Sequence, residues 1–518
     1  MTKGSARAGL YLAAGIFLSR LLGMLRDALL SDRFAGEAVS VFLYSQRLPF
    51  SLAQLLVGGV TAILVPELAA RLASGDKEQA SRLARVALSY WFAGFTLLSA
   101  LTMLLAKQLA FLVAPELPAA EMDATAAMLR QLAWLTFFNG MGGLLFAVLQ
   151  ATERFTPLAI AQLMPNIAIV LALMFFAEPL GITSAAVGTL VGGVLYCLIL
   201  LIFWRGTGLT FRFCFRDEGV DFWRLTALTV PLILVMAGFD LGSWAQGVLA
   251  SGSEGSRYDL LSYAYRIAEL PFGIFVIAIF TVLFPQLARS AGEEDVAKLK
   301  HQVGSATRVS LFLIMPAAAL LIALAGPVVR FLLQHGEFGP EEGRITTLLV
   351  QCLAGWMIAR SLLQLALAVY LALEEILVLF LGQVAGVALI FFFGYLMRPF
   401  GLWGLALGGT LAGAFEVVGL GLWLRHKHGT WGIRRVVTSG LIFLVPSALL
   451  GVAASMTHAL LANQLGAGLR GQALALVAAT IVGLLVYLFF AWLMRLPELK
   501  LLGGSLRQRL AKSEESAQ

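Results

Sequence analysis

Several charged side chains lie inside otherwise apolar stretches, and their types and spacing suit the binding of an anion. Arg20, Arg26 and Asp27 occupy one such stretch near the N-terminus. In a helix, Arg20 and Asp27 would share a face about 10 Å apart along the axis. Guanidinium groups stay charged, and their fork of donors matches phosphate oxygens. We therefore predict that Arg20 and Arg26 bind an anion such as a phosphate group. The alternative is that Asp27 neutralises an arginine and the pair only fixes packing.

A second set of charges lies in the C-terminal half. Arg266 and Glu269 are three residues apart, so they can form a simple ion pair within one helix. Alternatively, the two residues have separate roles in binding. In that case Arg266 contacts the bound anion and Glu269 is its partner when no anion is bound. Arg360 is a further candidate for contact with the anion. Arg47, near the start of an apolar stretch, is expected either to extend to the nearest polar surface or to bind the anion.

Two isolated acids, Asp240 and Glu416, predict a different kind of site. Together with Gln383 and Thr410 they would offer the hard oxygen ligands that a cation prefers. The alternative is a protonated, hydrogen-bonded acid, because burial disfavours the charged form.

Other chemistries lack their motifs. There is no GxxxxGK[ST] loop, which argues against ATP as the energy source. Cys197, Cys214 and Cys352 stand singly, so we expect neither a disulfide framework nor a metal site. No nucleophile–base or paired-carboxylate arrangement is evident, and the five histidines lie near predicted loops, where we expect them to be solvated. We therefore predict that the protein is not an enzyme.

The elements that must position these residues are transmembrane helices. The chain has 518 residues, of which 59% are hydrophobic and 13% charged, whereas soluble proteins contain about 25% charged residues. This composition excludes a cytosolic enzyme and a nucleic-acid binder. Apolar segments long enough to span a bilayer recur about fourteen times. The fold class we predict is an all-α polytopic membrane protein.

The distribution of basic residues predicts the orientation. With a cytoplasmic N-terminus, the inner segments hold 24 lysines and arginines and the outer segments hold 6. Basic residues concentrate in cytoplasmic loops, so both termini are expected to be cytoplasmic and the number of helices even. The net charge of +7 then mainly reflects topology, with membrane lipids as incidental partners.

The sequence also repeats itself. Leu48-Pro49-Phe50 opens a segment that ends in Pro66-Glu67-Leu68-Ala69, and Leu270-Pro271-Phe272 opens one that ends in Pro285-Gln286-Leu287-Ala288. Six predicted spans separate the copies, so the copies run parallel, as in many transporters. We predict two six-helix bundles, residues 1–219 and 220–430, followed by two additional helices and a cytoplasmic tail, residues 431–518.

Several motifs resemble one family. Ser19-Arg20-Leu21-Leu22-Gly23-Met24-Leu25-Arg26-Asp27 is similar to the S-R-x-x-G-x-x-R-D signature of the MurJ (MviN) lipid II flippases, within the superfamily of multidrug and oligosaccharidyl-lipid exporters. Further similarities follow in order at Leu149 to Asn166, at Tyr263 to Pro271 and at Leu333 to Phe338. The resemblance covers about residues 8–430.

The resemblance implies a bacterial inner-membrane flippase that moves undecaprenyl-diphosphate-linked peptidoglycan precursor outward by alternating access. Family members bind the diphosphate with cavity cations, hold the lipid tail against the last two helices, and draw energy from the membrane potential or from ions such as Na⁺. On this basis we assign headgroup contacts to Arg20, Arg26, Arg266, Arg47 and Arg360. We assign gating or charge-partner roles to Ser19, Asp27 and Glu269.

The second predicted span departs from the family. Relatives carry an arginine and an acid there, but residues 50–65 contain no charge. An acid usual just before this span is also absent, and Ser40 lies nearby. The chain is therefore either a divergent lipid II flippase or a flippase for another lipid-linked oligosaccharide. A cation-coupled drug antiporter of the same superfamily is a further alternative. The sequence gives no indication of the oligomeric state.

Overall fold

The computed structural model describes residues 3–499, except 211, 216–221, 253–256, 274–286, 288–295, 430–432 and 467, and its regular structure is helical. The helices of the first half are α1 Lys3–Arg33, α2 Gly36–Ala73, α3 Lys77–Leu104, α4 Ala106–Val113, α5 Ala119–Leu132, α6 Trp134–Ala151, α7 Phe155–Ala161, α8 Met164–Leu180, α9 Thr183–Trp204 and α10 Phe222–Ser251. The second half contains α11, residues 258–273, and then α12 Val296–Leu332, α13 Pro340–Ala372, α14 Ile376–Met397, α15 Gly401–His428, α16 Ile433–Leu465 and α17 Leu469–Leu493.

Within the described residues, ten helical stretches are long and apolar enough to cross a membrane. One of them, Ile376–His428, contains both α14 and α15. Helices satisfy their own backbone hydrogen bonds in lipid, which explains why so apolar a chain takes this form. The prediction of an all-helical polytopic membrane protein is confirmed.

The first of two compact units comprises Met1–Leu261 together with Leu332–Gly339. Its core lies between α2, α3, α6 and α9, with Leu68, Phe95 and Leu144 fully buried. Close packing depends on small residues. A Cβ at Gly140 of α6 would lie 2.5 Å from the Phe95 ring, so only glycine lets α3 approach this near.

Three apolar segments of this unit are interrupted rather than continuous. Breaks at Leu105 and Ala133 separate α3 from α4 and α5 from α6, and a third, at Gln162–Leu163, separates α7 from α8. Behind the third break, a Cβ at Gly192 of α9 would lie 2.6 Å from Pro165 Cα. The backbone of α9 therefore supports α8 directly beside the break.

The second unit comprises Ser262–Phe331 and Pro340–Gln518. Buried tyrosines join its helices: Tyr370 Oη of α13 donates to Leu420 O of α15, and Tyr487 Oη of α17 donates to Phe312 O of α12, both at 2.7 Å. The two last helices pack closely, with Gly483 of α17 against Ala454 of α16.

The contact-based division differs from the repeat-based boundaries at 219/220 and 430/431, which remain a prediction. It places α10 in the first unit, where Gly59 of α2 accommodates Ile233 of α10. It also places the loop Leu332–Gly339 there, although both adjoining helices belong to the second unit.

One turn recurs in the two units. Glu153, after α6, and Glu374, after α13, have φ of 58° and 59°. The following amides close the same pattern, with Arg154 N donating to Leu149 O and Glu375 N to Tyr370 O, both at 2.9 Å. Arg154 then lies against Gly206, after α9, and Glu375 pairs with Lys427 and His428 at the end of α15. The recurrence agrees with the predicted parallel repeat, although the same turn also follows α17 at Arg495.

Candidate functional site

The predicted arginine–aspartate motif lies on the C-terminal half of α1, and the structure pairs two of its members. Arg26 Nε and Nη2 both lie 2.9 Å from Asp27 Oδ1. The Asp27 side chain is 7% exposed and that of Arg26 is 18% exposed. Water therefore contributes little to the stability of either charge, and each depends on the other.

The other side of Arg26 faces the broken helix. Arg26 Nη1 donates to Asn166 Oδ1 of α8 at 3.4 Å. Asn166 Nδ2 donates to Ser19 O at 2.9 Å and to Ser19 Oγ at 3.0 Å. Ser19 Oγ donates in turn to Gln162 O at 2.9 Å, at the break between α7 and α8. A continuous set of hydrogen bonds thus runs from the Arg26 guanidinium to the break.

Arg20 precedes Arg26 by six residues on the same helix, about one and two-thirds turns, and is half-buried. Among the residues that the structure describes, Arg20 makes neither an ion pair nor a hydrogen bond. Its guanidinium therefore carries a charge that no described carboxylate offsets. This part of α1 has two cations and one acid, a local excess of positive charge that favours an anion.

Arg47 is engaged elsewhere in the first unit. Its guanidinium contacts the Tyr258 hydroxyl and lies 5.5 Å from the centre of that ring. Tyr258 stacks on Tyr44 at 4.5 Å, and Tyr44 Oη donates to Gly247 O at 3.3 Å. Arg47 thus helps to hold the junction of α10 and α11 against α2.

The same junction contains an acid that sequence reasoning missed. Asp259 is 1% exposed. Its Oδ1 accepts from Ser40 Oγ at 3.2 Å and lies 3.3 Å from Arg257 Nε. The resemblance led us to look for an acid before the second span; in the structure Ser40 there meets an acid from α11 instead. An aspartate two residues after an arginine, at the start of an apolar stretch, was the available signal.

In the second unit, the candidate charges lie on α11 and α13. Arg266 is half-buried and Glu269 is exposed. Arg360 lies over the Phe272 ring, 5.8 Å from its centre, and Tyr265 of α11 packs edge-on against Trp356 of α13 at 5.0 Å. The structure thus brings Arg360 to the helix that carries Arg266.

The four predicted cation ligands are only partly brought together. Gln383 Nε2 donates to Glu416 Oε1 at 2.9 Å, and Gly386 leaves room for the Glu416 carboxylate. Thr410 Oγ1 donates to Cys352 O at 2.9 Å. Asp240 belongs to α10 of the first unit, and its side chain lies outside the described residues. Within the described part of the chain, no three His, Cys, Asp or Glu side chains form a group able to hold a metal ion.

Comparison with known proteins places this chain in a family. The sequence model described as lipid II flippase MurJ matches residues 33–470. The chain belongs to the MurJ lipid II flippase family. The match begins after the arginine–aspartate motif of α1, so the roles of Arg20 and Arg26 depend on their geometry and on the resemblance of the motif.

Individual relatives are distant. The chain is 26% identical over 338 residues to a probable lipid II flippase MurJ of Rhizobium meliloti (strain 1021), covering 62% of each protein. It is 28% identical over 345 residues to the protein so named in Haemophilus influenzae, covering 62% of this chain and 67% of that one. The aligned part thus spans slightly less than two thirds of the Rhizobium protein.

Solved structures show the same fold. A lipid II flippase MurJ in an inward closed conformation superposes with a TM-score of 0.75 at 18% identity, covering 94% of this chain and 98% of that one. An inward-facing multidrug resistance MATE family transporter of the MOP superfamily superposes with a TM-score of 0.70 at 14% identity, covering 82% and 98%. The fold is therefore common to flippases and drug exporters, and it does not by itself select a substrate.

Proposed function

We propose that this protein moves lipid II, the undecaprenyl-diphosphate-linked peptidoglycan precursor, across the bacterial inner membrane by alternating access. The observation that carries the proposal is the family match over residues 33–470. The excess of positive charge on α1 agrees with it, because a drug antiporter for cations would be expected to present acids. The protein is a transporter and not an enzyme.

The headgroup is held by arginines. The candidates in the first unit are Arg20 and Arg26 of α1. The candidates in the second unit are Arg266 of α11 and Arg360 of α13. Arginines at depth in a membrane are costly unless they face a partner or a polar cavity. A diphosphate provides such a partner, and bidentate hydrogen bonds fix its orientation as well as its charge.

Asp27 keeps Arg26 in place while no substrate is bound. The ion pair at 2.9 Å offsets the charge of Arg26 in the empty protein. A diphosphate competes with Asp27 for the same guanidinium, so binding of the headgroup loosens the pair. Glu269 has the corresponding role beside Arg266 in this proposal.

The energy comes from the membrane potential or from Na⁺, and not from ATP. Glu416 and Gln383 are the oxygen-bearing residues of the second unit on which a cation would depend, with Asp240 and Thr410 as the remaining candidate ligands. A cation that binds only the folded protein raises its melting temperature by mass action. Stabilisation of the wild type by Na⁺ that is lost in Asp240→Asn would support this assignment. Absence of stabilisation by any alkali cation would favour the protonated acid.

The proposal is tested by expressing the protein in cells depleted of their own lipid II flippase and measuring growth and lipid II export together. Wild type is expected to restore both, whereas Arg20→Ala, Arg26→Ala and Arg266→Ala are expected to restore neither at equal expression. Arg344→Ala is the matched control, because Arg344 is exposed and its ion pair among the described residues is with Glu341, three residues earlier.

Normal export by all three alanine variants would show that the arginines are structural. A wild type that fails to export lipid II but confers resistance to cationic drugs would instead support the antiporter.

A further inference from the structure

The geometry points to Asn166 as the residue that orients the Arg26 guanidinium toward the anionic headgroup. Through Asn166, this orientation depends on contact between α1 and the break before α8. The inference rests on the proposed function only in taking a diphosphate as the ligand of Arg26. Asn166 is a positioning residue, because it acts on the headgroup through Arg26.

The orientation of the Asn166 amide follows from its partners. The Ser19 backbone carbonyl can only accept a hydrogen bond, so the group 2.9 Å away from it must be the Nδ2 donor. Oδ1 therefore faces Arg26 Nη1, at 3.4 Å. An amide alone donates to Ser19 and accepts from Arg26 at once: aspartate lacks the donor, and alanine lacks both groups.

Two contacts on different edges fix the plane of the guanidinium. Asp27 Oδ1 holds Nε and Nη2, and Asn166 Oδ1 holds Nη1. An arginine side chain has several rotatable bonds, so contact along one edge leaves the plane of its guanidinium free to turn. The second contact reduces this freedom before the ligand arrives, and a preorganised donor loses less entropy on binding.

The order of donors and acceptors in this network links Arg26 to the helix break. The Ser19 hydroxyl donates its proton to Gln162 O, so its oxygen remains to accept from Asn166 Nδ2. Ser19, Gln162 and Asn166 therefore hold each other in one arrangement of α1 against α7 and α8. If α8 moves away from α1, Arg26 loses its hydrogen bond to Asn166. The orientation of the guanidinium therefore depends on the contact between these two helices.

The test is a double-mutant cycle in the purified full-length protein, with undecaprenyl diphosphate as the probe and its Kd as the readout. Asn166→Ala is expected to raise the Kd roughly tenfold, in line with the loss of one hydrogen bond to a charged group. In an Arg26→Lys background, which keeps the charge but lacks the fork, the same change should raise the Kd less than about twofold. Asn139→Ala, at a half-buried asparagine of α6 outside the network, should leave the Kd unchanged.

The near-isosteric Asn166→Asp keeps the test decisive if the alanine variant folds poorly. Its carboxylate would compete with the diphosphate for Arg26, so this variant should bind the probe more weakly than wild type while still unfolding in a cooperative thermal transition. An equal increase in Kd in both Arg26 backgrounds would overturn the inference. So would wild-type affinity in both Asn166 variants, or a wild type that does not bind the probe. Wild-type binding of the probe without export of lipid II would contradict the proposed function and leave the cycle to decide the role of Asn166.

Discussion

At the scale of single residues, three non-glycine residues of the described chain adopt a left-handed backbone conformation. They are Glu153, Glu374 and Arg495, with φ between 53° and 59°. Each follows a helix and allows the next amide to bond back to the helix end, as Leu496 N does to Ala491 O at 3.0 Å. For an L-residue this conformation costs about 1–2 kcal/mol. Glycine is the usual residue at this position because it lacks the Cβ that causes the strain.

Glu153→Gly and Glu374→Gly are therefore expected to stabilise the protein by about 0.5–1 kcal/mol each. Thermal unfolding of the purified protein in detergent would measure the change. Glu153→Asn should fall between glutamate and glycine, because asparagine tolerates the left-handed region. A melting temperature lowered by both glycine variants would show that the glutamate side chains make contacts worth more than the strain.

The residue after Glu374 forms the main polar contact at this end of the second unit. Glu375 Oε1 lies 2.9 Å from Lys427 Nζ and 2.7 Å from His428 Nε2. Burial raises the pKa of the Glu375 carboxyl, but the hydrogen bonds and charges of Lys427 and His428 outweigh burial and hold the pKa below its usual range. His428 was expected to be solvated; that expectation was wrong, because the chain turn at Glu374 brings an acid to it.

The lowered pKa predicts how stability depends on pH. A carboxyl with a lower pKa in the folded protein stabilises it above the ordinary carboxyl pKa, and this contribution disappears as the pH falls through the folded-state value. The difference in melting temperature between wild type and Glu375→Gln should therefore be full at pH 7 and vanish at acid pH. A difference that persists unchanged to pH 3 would contradict the assignment.

Sequence reasoning identified part of the candidate site. The pairing of Arg26 with Asp27 follows from their adjacency, and it was one of the two alternatives considered. The contact of Arg26 with Asn166 was not foreseen, because the two residues are 140 positions apart and nothing local records their proximity. An asparagine in an apolar helix was nevertheless a signal, since buried amides need partners.

At the scale of elements, the loop Leu332–Gly339 docks on the end of α1. Glu337 N donates to Asp32 O at 3.0 Å, and Ser31 Oγ lies 3.4 Å from Leu333 O. Gly336 has φ of 54°, and a Cβ there would overlap the Asp32 carbonyl oxygen. The loop can approach α1 this closely only with glycine at this position.

Gly336→Ala is expected to destabilise the docked loop by more than about 2 kcal/mol, since strain and overlap act together. Gly208→Ala separates the two effects, because Gly208 has a left-handed backbone, φ of 74° and ψ of 5°, with open space around it; about 1 kcal/mol is expected there. Faster proteolysis within residues 332–339 in the first variant, and not in the second, would show the loss of docking. Equal effects would mean that the overlap is relieved by a small shift of the loop.

The interruptions of the helices were not predicted. The apolar stretches around Leu105, Ala133 and Gln162 were read as continuous spans, because none contains a charge or a proline at the break itself. Pro165 lies three residues after Gln162, and proline is favoured in the first turn of a helix. This proline therefore explains why α8 begins at Met164. The other two breaks have no comparable local signal, which leaves tertiary packing as their cause.

At the scale of the whole molecule, composition was enough to predict a helical membrane protein, and charge bias predicts its orientation. The loops near Lys77 and Lys298 are expected to be cytoplasmic, and those near Glu121 and Glu342 external. Single cysteines at 77 and 121, in a protein whose own three cysteines are replaced, would be labelled in intact cells with an impermeant reagent. Labelling at 121 and not at 77 is expected, and the reverse pattern would overturn the orientation.

The assignment of the loop Leu332–Gly339 to the first unit could not be predicted from sequence. Hydropathy marks the loop as a connection between two apolar segments, but it does not indicate which surface the connection packs on. That depends on the left-handed turn at Gly336 and on the carbonyl of Asp32, and neither is visible before the chain is folded.

The docking of this loop has a consequence for how the protein is made. Ser31 and Leu333 meet although 302 positions separate them along the chain. Ribosomes add about 5–20 residues per second, so the end of α1 waits roughly 15–60 seconds for its partner to be synthesised. Throughout that interval the nascent first unit lacks the contacts of residues 332–339 with the end of α1. A ribosome pause before residues 332–339 have been synthesised and have left the ribosome would lengthen this period by the duration of the pause.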